Sequence, residues 1–401
     1  MRNIELVDRV QEITEGLASR TALRRRVTSG TAILMKASGS PIAVGEGLLV
    51  KVNTNLGVSS RRLLEAERAK LHSVATAGFR PDTMMDHTIV KLPGRQFYEL
   101  MLSEFGGPIG TLPHYLAFHP RRGIERSALL DMAQAQAEAG VSFMTLHPTP
   151  TTALVEKARR LRVTASTSRG GGVVIRDMAI HRRHENVIAE CFTDLLSILQ
   201  KHGMALSIGS VFRPSSLSEA LDDVHREETA VQFSFIAEAR RAGVPVQMEG
   251  IGHIALTRLP RYLRLVKRYG VPLMPLGPLP TDASSGMDHV ANAIGAAYVC
   301  LLGGAHIINS ITREEHTGGV PTEPSVLEGL KAARIAAHAV NLCRFQAVAK
   351  LDAEVAALRA LRRTCAVDIG LFSRSARQSH AVGCTRCGPE CPLVVTVENP
   401  T

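Results

Sequence analysis

From about residue 80 onward, short apolar segments alternate with longer stretches that have helical periodicity. Amphipathic stretches such as 123–140 and 215–243 lie between the apolar segments, and each of these two ends in a glycine, the usual residue after a helix. The apolar segments are short, bounded by turn and cap residues, and predict β-strands. The predicted strands are 81–86, 108–114, 141–148, 162–168, 204–212, 245–253, 272–280 and 305–312.

Eight strands with helical crossovers in roughly 230 residues predict an α/β fold of the (β/α)8 TIM-barrel type. The competing fold is a doubly wound sheet, which would gather its polar groups at one or two switch points. No G-x-G-x-x-G motif opens a helix after the first predicted strand, and polar residues follow most strands. We therefore favour the barrel, whose strand ends form one mouth. These polar residues are Asp86, His114, His147, Ser168, Arg169, Arg213, Glu249, His253 and Asp282.

The chain divides into three predicted parts. Residues 1–78 form a basic helical and extended preface, residues 79–346 the barrel, and residues 347–401 a C-terminal helix followed by a cysteine-containing tail. Glycine, serine and proline around the cysteines indicate that the tail is an appendage to the barrel.

Composition narrows the class of partner. The net charge of +10 comes from scattered basic residues, and aromatic residues are only 4% of the chain with no tryptophan. This pattern favours a phosphorylated small molecule over nucleic acid, because no stacking platform or basic tract is present. No apolar run reaches the roughly 18 residues of a membrane span, and the N-terminus lacks the apolar core of a signal peptide. Seven cysteines, an odd number, argue against a disulfide framework. We expect a soluble, cytoplasmic protein.

Two histidines suggest a metal site. His253 ends the sixth predicted strand, close to Glu249, and His316 follows the eighth. Imidazoles from the same end of a barrel can share a divalent metal such as zinc or iron and leave positions open for water or substrate. Glu249 is a candidate third ligand or a base. The alternative is that each histidine is structural.

Two segments suggest anion binding. Ser168–Gly172 reads "SRGGG", in which an arginine stands beside three glycines that expose backbone N–H groups. Arg213 precedes Ser215 and Ser216, which are candidate caps of the next helix and so mark a second anion site at a helix N-terminus. A plain flexible turn is the alternative for the first segment.

The tail carries "CTRCGPEC", with Cys384, Cys387 and Cys391. Three thiolates suit a 4Fe–4S cluster with one iron open to a small ligand. They are one short of the four ligands of a closed zinc site, although His380 is a candidate fourth. A disulfide is a third alternative, disfavoured in a reducing compartment.

Taken together, the motifs resemble those of the phosphomethylpyrimidine synthase family, radical S-adenosylmethionine enzymes of thiamine biosynthesis. The similarity runs from about residue 30 to residue 391. The motifs that carry it are "VGEGLLVKVNTNLGVSS", "RPDTMMD", "GPIGTLPHY", "LHP", "SRGG", "MEGIGH", "LGPLPTDASSGMDHVANAIGAA", "REEHTG" and "CTRCGPEC".

The resemblance implies a (β/α)8 barrel, a C-terminal 4Fe–4S cluster held by Cys384, Cys387 and Cys391, and a divalent metal held by His253 and His316. It implies aminoimidazole ribotide as substrate, S-adenosylmethionine as the source of a 5′-deoxyadenosyl radical, and Glu249 and Arg213 as catalytic residues. A reductant protein such as flavodoxin or ferredoxin and a homodimer follow from the same family. The implied substrate contacts are Asn55, Met85, Tyr115, His147, Ser168, Arg169, Gly170, Ser210, Arg213 and Glu249.

The chain departs from the family pattern at several motifs. Ser210 stands where a carboxylate is expected, Met274 replaces a tyrosine, and "HTIVKLPG", beginning at His87, replaces "LSTGG". The cysteine motif is one residue shorter than the family's. Loss of a charge and a hydroxyl should alter how the pocket orients its ligand.

These changes favour a paralogue, and the first expectation for the product is 5-hydroxybenzimidazole, the lower ligand of a cobamide. The alternative product is the thiamine pyrimidine phosphate. Two further alternatives are a non-radical metal-dependent lyase with a zinc-binding tail and a non-catalytic binding protein.

Overall fold

The computed structural model describes residues 4–372 and 386–395. In these residues the strands are β1 Ala32–Met35, β2 Ile42–Gly45, β3 Lys51–Leu56, β4 Thr83–Asp86, β5 Ile109–Thr111, β6 Phe118–His119, β7 Gly123–Ile124, β8 Phe143–Leu146, β9 Ala205–Ile208, β10 Val246–His253, β11 Leu273–Leu279 and β12 Ile307–Ser310. The α-helices are α1 Gln11–Thr14, α2 Arg20–Ser29, α3 Leu64–Thr76, α4 Phe97–Glu104, α5 Pro113–Ala117, α6 Arg126–Glu138, α7 Thr152–Leu161, α8 Arg169–His181, α9 Val187–Glu190, α10 Phe192–Lys201, α11 Asp223–Arg241, α12 Leu259–Val266, α13 Asp288–Leu301, α14 Glu323–Arg344, α15 Gln346–Arg362 and α16 Pro392–Val395. Segments of 3-10 helix lie at Ile4–Arg9, Arg61–Leu63, Leu217–Glu219, Leu256–Arg258, Lys267–Tyr269 and Gly388–Glu390.

One parallel sheet of eight strands forms the centre, in the order β11-β10-β9-β8-β5-β4-β3-β12. Its two end strands approach each other, since the backbone N–H of His306 donates to the carbonyl of Leu273 at 2.9 Å. The Leu273 N–H in turn donates to Nδ1 of His306 at 2.9 Å. The sheet is thus nearly closed into a barrel with helices around it, which confirms the predicted TIM-type fold.

One predicted strand is not formed and one observed strand was not predicted, so the predicted number of eight strands is still correct. Residues 162–168 are not a strand; Arg162 is anchored by Asp222, and Val163 is 95% exposed, although the β-branched composition suggested a strand. The missing strand is β3, which pairs in parallel with β4 and β12 and lies within the predicted preface. Its Lys51, Asn53 and Asn55 alternate with Val52, Thr54 and Leu56. Polar residues inside the barrel break the apolar run by which a buried parallel strand is usually recognised.

The N-terminal end of the barrel is closed. The antiparallel hairpin of β1 and β2 contributes Ile33, Met35 and Val44 to a buried cluster that also contains the first residues of β8, β9 and β12. Beside it, Lys51 Nζ lies 2.7 Å from Glu12 Oε1, with both side chains almost completely buried. The hairpin and this ion pair plug the end opposite the strand carboxyl termini.

Helix α14 fastens the C-terminal part of the barrel to its first strand. It starts with a capping box in which Thr322 and Ser325 satisfy each other's backbone N–H groups, and Pro324 occupies its first turn. Asn341 Oδ1, near its end, accepts a hydrogen bond from Val50 N at 2.8 Å. Of the helices described, none is long and apolar enough to cross a bilayer.

Candidate active site

A cavity of about 370 Å³ lies at the carboxyl ends of the barrel strands. Parallel strands bring their ends together there, so residues far apart in the chain face one space. Ten residues that the sequence analysis predicts as binding or metal-site residues line this cavity: Asn55, Met85, Tyr115, His147, Ser168, Arg169, Arg213, Glu249, His253 and His316.

Glu249, on β10, is the buried carboxylate of the cavity. Its Oε1 accepts hydrogen bonds from Thr145 Oγ1 at 2.8 Å and Ser207 Oγ at 3.0 Å, both on neighbouring strands. Burial raises the pKa of Glu249, and the Thr145 hydrogen bond and the positive charge of Arg213 lower it in part. Its second oxygen, Oε2, makes no hydrogen bond to any residue that the structure describes, so Glu249 keeps one free acceptor for a ligand.

His147 is packed tightly against two glycines. A Cβ atom on Gly170 would come within 2.5 Å of its ring, and one on Gly209 within 2.7 Å. Its Nε2 lies 3.1 Å from Ser168 Oγ, and burial keeps its pKa well below the usual value. Gly170 is therefore required for the position of a neutral His147 and is itself behind the cavity wall, not among its lining residues.

The "SRGGG" segment is the start of helix α8. Ser168 caps it, accepting a hydrogen bond from Gly171 N at 3.2 Å, and Arg169 is the first helical residue. The positive end of a 13-residue helix and the Arg169 guanidinium thus meet at the cavity. Arg213 lines the same cavity and donates from Nη1 to the carbonyl of Ser210 at 3.0 Å.

The predicted second helix-terminal anion site after Arg213 is wrong. Ser215 donates through both its N–H and its hydroxyl to Glu219 Oε2, each at 2.9 Å, and Ser216 precedes only the 3-10 turn Leu217–Glu219, to which its side chain makes no capping hydrogen bond. Helix α11 begins later, at Asp223, with Asp222 as its cap. Arg213 therefore acts without a helix N-terminus of its own.

Two departures from the family pattern lie behind the cavity wall. Ser210 Oγ donates to the buried carboxylate of Glu228 at 2.6 Å, and Met274 belongs to the apolar cluster inside the barrel, where Gln247 Nε2 lies 3.8 Å from its Sδ. Neither is among the residues that line the cavity in the described chain. Both side chains are directed to partners in the protein and do not line the cavity directly.

The two predicted metal histidines are brought together. The ring centroids of His253 and His316 are 5.1 Å apart, and Nδ1 of each ring is paired with a carboxylate: Asp282 at 2.8 Å and Asp288 at 2.9 Å. A carboxylate that accepts from Nδ1 fixes the orientation of the imidazole and leaves Nε2 available as a metal ligand. The arrangement of the two histidines therefore fits metal binding. Among the described residues no group of three or more His, Cys, Asp or Glu side chains could hold a metal, so Glu249 as a third ligand finds no support.

Several cavity residues were missed from the sequence. His87, Lys70, Glu67 and Glu315 all line the cavity. His87 directly follows β4 and Glu315 precedes His316, so the strand-end rule could have found both. Lys70 and Glu67 lie on α3 and pair with each other through a buried contact. Their i, i+3 spacing predicts the pair, but no sequence signal places α3 at the cavity.

The cysteine motif is only partly described. Cys384 lies outside the described residues, as does His380. Cys387 and Cys391 flank the single 3-10 turn Gly388–Glu390, with Cys387 exposed and Cys391 buried. Thiol donors closely spaced around a turn fit an iron–sulfur cluster as a ligand type.

Comparison with known proteins gives a consistent result. The model of the Radical SAM ThiC family matches residues 4–398. The chain is 35% identical over 368 residues to the phosphomethylpyrimidine synthase of Methanopyrus kandleri, covering 86% of this chain and 83% of that protein. It is 32% identical over 393 residues to the 5-hydroxybenzimidazole synthase BzaA of Eubacterium limosum, covering 92% and 90%.

A parallel barrel with charged and hydrogen-bonding groups converging at its carboxyl end defines an α/β-barrel enzyme. The chain belongs to the Radical SAM ThiC family. It is therefore a radical S-adenosylmethionine enzyme, a class that carries a 4Fe–4S cluster, and the non-radical lyase and the binding protein are set aside.

Proposed function

We propose that this enzyme rearranges aminoimidazole ribotide into a new heterocycle, with 5-hydroxybenzimidazole as the product. The observation that carries the proposal is the convergence of separate groups for each part of a ribotide on one cavity. The names of the relatives support both 5-hydroxybenzimidazole and the thiamine pyrimidine phosphate. We favour the benzimidazole because the chain departs from the family motifs at several positions, among them the segment that begins with His87, a cavity residue.

Each group of the cavity has a role in this proposal. Arg169, Arg213 and the α8 N-terminus bind the phosphate, since they place positive charge and N–H donors in one space. Glu249 accepts a hydrogen bond from the amino group of the substrate through Oε2. His147, held neutral by burial, orients the ribose.

The barrel also controls the surroundings of the reaction. Its N-terminal end is plugged, so the ribotide reaches the strand ends from one side only, and the surrounding wall limits access of water to a reactive species. Cys384, Cys387 and Cys391 would hold the cluster, and His253 and His316 a divalent zinc or iron ion. When bound, such a cluster would supply the electron for reductive cleavage of S-adenosylmethionine to methionine and the 5′-deoxyadenosyl radical, the species proposed to abstract hydrogen from the ribose.

The test is anaerobic incubation of cluster-reconstituted enzyme with aminoimidazole ribotide, S-adenosylmethionine and a reductant, followed by mass identification of products. We expect 5-hydroxybenzimidazole, which carries no phosphate. A phosphorylated pyrimidine would identify the enzyme as a thiamine pyrimidine synthase. Formation of 5′-deoxyadenosine without any product derived from the ribotide would show that aminoimidazole ribotide is not the substrate. Cys387→Ser with Cys391→Ser is the control that should abolish both products.

The proposal includes a reductant protein such as flavodoxin or ferredoxin, because a cluster must receive an electron for each cleavage. Replacing the chemical reductant with each purified protein tests this, and support of turnover by neither would reject it. The cytoplasmic location remains a prediction.

A homodimer is supported by the surface of α13. Met287, Val290, Ile294 and Leu301 recur at helical spacing and are between 40% and 56% exposed. Residues 289–302 contain no Asp, Glu, Lys or Arg, so a second copy of this chain, which carries a net charge of +10, meets no like-charge repulsion there. Ile294→Glu should shift the protein from dimer to monomer in light scattering. A monomeric wild-type protein would reject the dimer.

A further inference from the structure

We propose that His87 is a specificity-determining residue of the cavity, which donates a hydrogen bond to the anionic group held by Arg169 and Arg213. The inferred ligand group is a phosphate monoester. The inference deepens the proposed function, because the ribotide is the phosphate monoester proposed to bind there.

The backbone at His87 is held rigidly at the end of β4. Its N–H donates to the carbonyl of Leu56 at 2.7 Å, and Thr88 N–H donates to Asp86 Oδ1 at 2.8 Å. The chain directly after β3 passes so close that a Cβ on Gly57 would come within 2.4 Å of the His87 carbonyl carbon. A ring on this clamped backbone loses little further freedom when it binds a ligand.

The ring itself lies at the cavity wall beside another aromatic residue. It makes an edge-on contact with the Tyr115 ring, with centroids 6.1 Å apart and planes at 85°. Both residues line the cavity. Tyr115 therefore limits the orientations of the imidazole and keeps it at the cavity surface.

The ring nitrogens of His87 are available. The other histidines of the cavity are engaged: His253 and His316 by carboxylates, and His147 by Ser168. Within the described chain, the His87 ring makes no hydrogen bond. Unlike the metal-type pair, it has no carboxylate to direct one nitrogen toward a cation, so an anion is the better match.

The charge around His87 also indicates an anion. Burial, followed by the positive charges of Arg169 and Arg213, lowers the pKa of His87 to about 3. The imidazole is therefore neutral at neutral pH and offers one N–H donor within the field of two guanidinium groups. A phosphate monoester has three terminal oxygens and can use both guanidinium groups and the imidazole donor together. Leucine at this position would provide no donor.

The experiment measures binding without turnover, by calorimetry of the purified protein in the absence of S-adenosylmethionine and reductant. The probes are aminoimidazole ribotide, its dephosphorylated riboside and ribose 5-phosphate. The variants are His87→Leu, His87→Asn, which retains an N–H donor, and the surface control His119→Leu.

We expect His87→Leu to weaken binding of both phosphorylated probes about 10-fold, the effect of one lost hydrogen bond to a charged group, and to leave riboside binding unchanged. His87→Asn should recover part of the loss, and His119→Leu should match the wild type. Thermal unfolding of each variant checks folding; if the leucine variant does not fold, the asparagine variant must weaken the phosphorylated probes selectively.

Equal weakening of ribotide and riboside would show a merely structural role and overturn the inference, as would unchanged binding of the phosphorylated probes. If wild-type protein binds ribose 5-phosphate and not the ribotide, the proposed substrate fails while His87 is still tested with ribose 5-phosphate. If wild-type protein binds no phosphorylated probe, the inference is overturned.

Discussion

The two ends of the barrel are built in opposite ways. At the N-terminal end, an apolar hairpin fills the opening and the buried charge of Lys51 is matched by Glu12 at 2.7 Å. At the C-terminal end, Glu249 Oε2 and the His87 ring have no hydrogen-bond partner among the described residues, and both face a cavity. The closed end matches its buried charge with an opposite charge inside the protein, although Glu12 Oε2 has no hydrogen-bond partner among the described residues. The open end leaves polar groups facing a cavity, where a ligand can complete them.

The largest expected effect is at the closed end. Lys51→Met leaves the Glu12 carboxylate buried without its cation, and should lower the free energy of unfolding by about 3–5 kcal/mol. Urea denaturation measures the loss. The double variant Glu12→Gln, Lys51→Met should recover most of it, because no buried charge is left and the glutamine oxygen can still accept a hydrogen bond from Leu49 N. A loss in the double variant as large as in the single one would contradict the interpretation.

Next in size is an effect at the open end. Glu249→Gln retains the shape of the side chain and acceptors for Thr145 and Ser207, and removes the negative charge near Arg213. We expect turnover to fall about 100-fold, close to 2.7 kcal/mol, with little change in thermal unfolding temperature. The surface variant Glu138→Gln is the control. A turnover rate within a factor of two of wild type would show that the charge of Glu249 does not contribute to catalysis.

A pH effect should follow at His114, which is buried behind the cavity with neither ring nitrogen hydrogen-bonded in the described structure. Burial, with a smaller effect of His87, lowers its pKa from 6.5 to about 3. Below pH 6.5 the unfolded chain binds a proton at His114 and the folded chain does not. The contribution of the neutral, buried His114 to stability is therefore present above pH 6.5 and is lost as pH falls toward 3. Between pH 6.5 and 5 the loss is about 2 kcal/mol.

His114→Phe removes this titration and keeps the ring contacts with Tyr115 and His147. Its free energy of unfolding should therefore fall less between pH 7.5 and pH 5 than that of the wild type. Urea denaturation at both pH values makes the comparison, and parallel decreases in the two proteins would reject the assignment to His114.

The smallest predicted effect compares two helix caps with the same geometry. Ser168 on α8 and Thr151 on α7 each accept from the third helical residue at 3.2 Å. Replacing either with alanine should cost about 1 kcal/mol of stability. Only Ser168→Ala should also lower activity, because Ser168 contacts His147 and lines the cavity. Equal activity in both variants would show that Ser168 is a cap and nothing more.

Much of the candidate site could be predicted from the sequence because the carboxyl ends of parallel strands meet. The rule placed Glu249 and the two metal-type histidines around one mouth. It placed Arg169 there too, although the predicted strand before Arg169 is not formed. It failed for His114, which stands equally close to a strand end but is not among the lining residues. Ser210, which the resemblance names as a substrate contact, is not among them either. Their side chains are buried behind the wall, and the direction of a side chain in a loop depends on backbone angles that residue spacing does not specify.

By itself, the sequence determined the alternation of strands and helices, the polar residues at the strand ends and the cysteine motif, because these depend on local periodicity and residue type. The tertiary structure decided which segment is the first barrel strand, since β3 carries polar residues that are buried only when the barrel closes around them. It also decided that Lys70 and Glu67 of α3 line the cavity while Met274 lies beneath it. Those outcomes depend on packing between elements distant in the chain, and no local pattern contains that information.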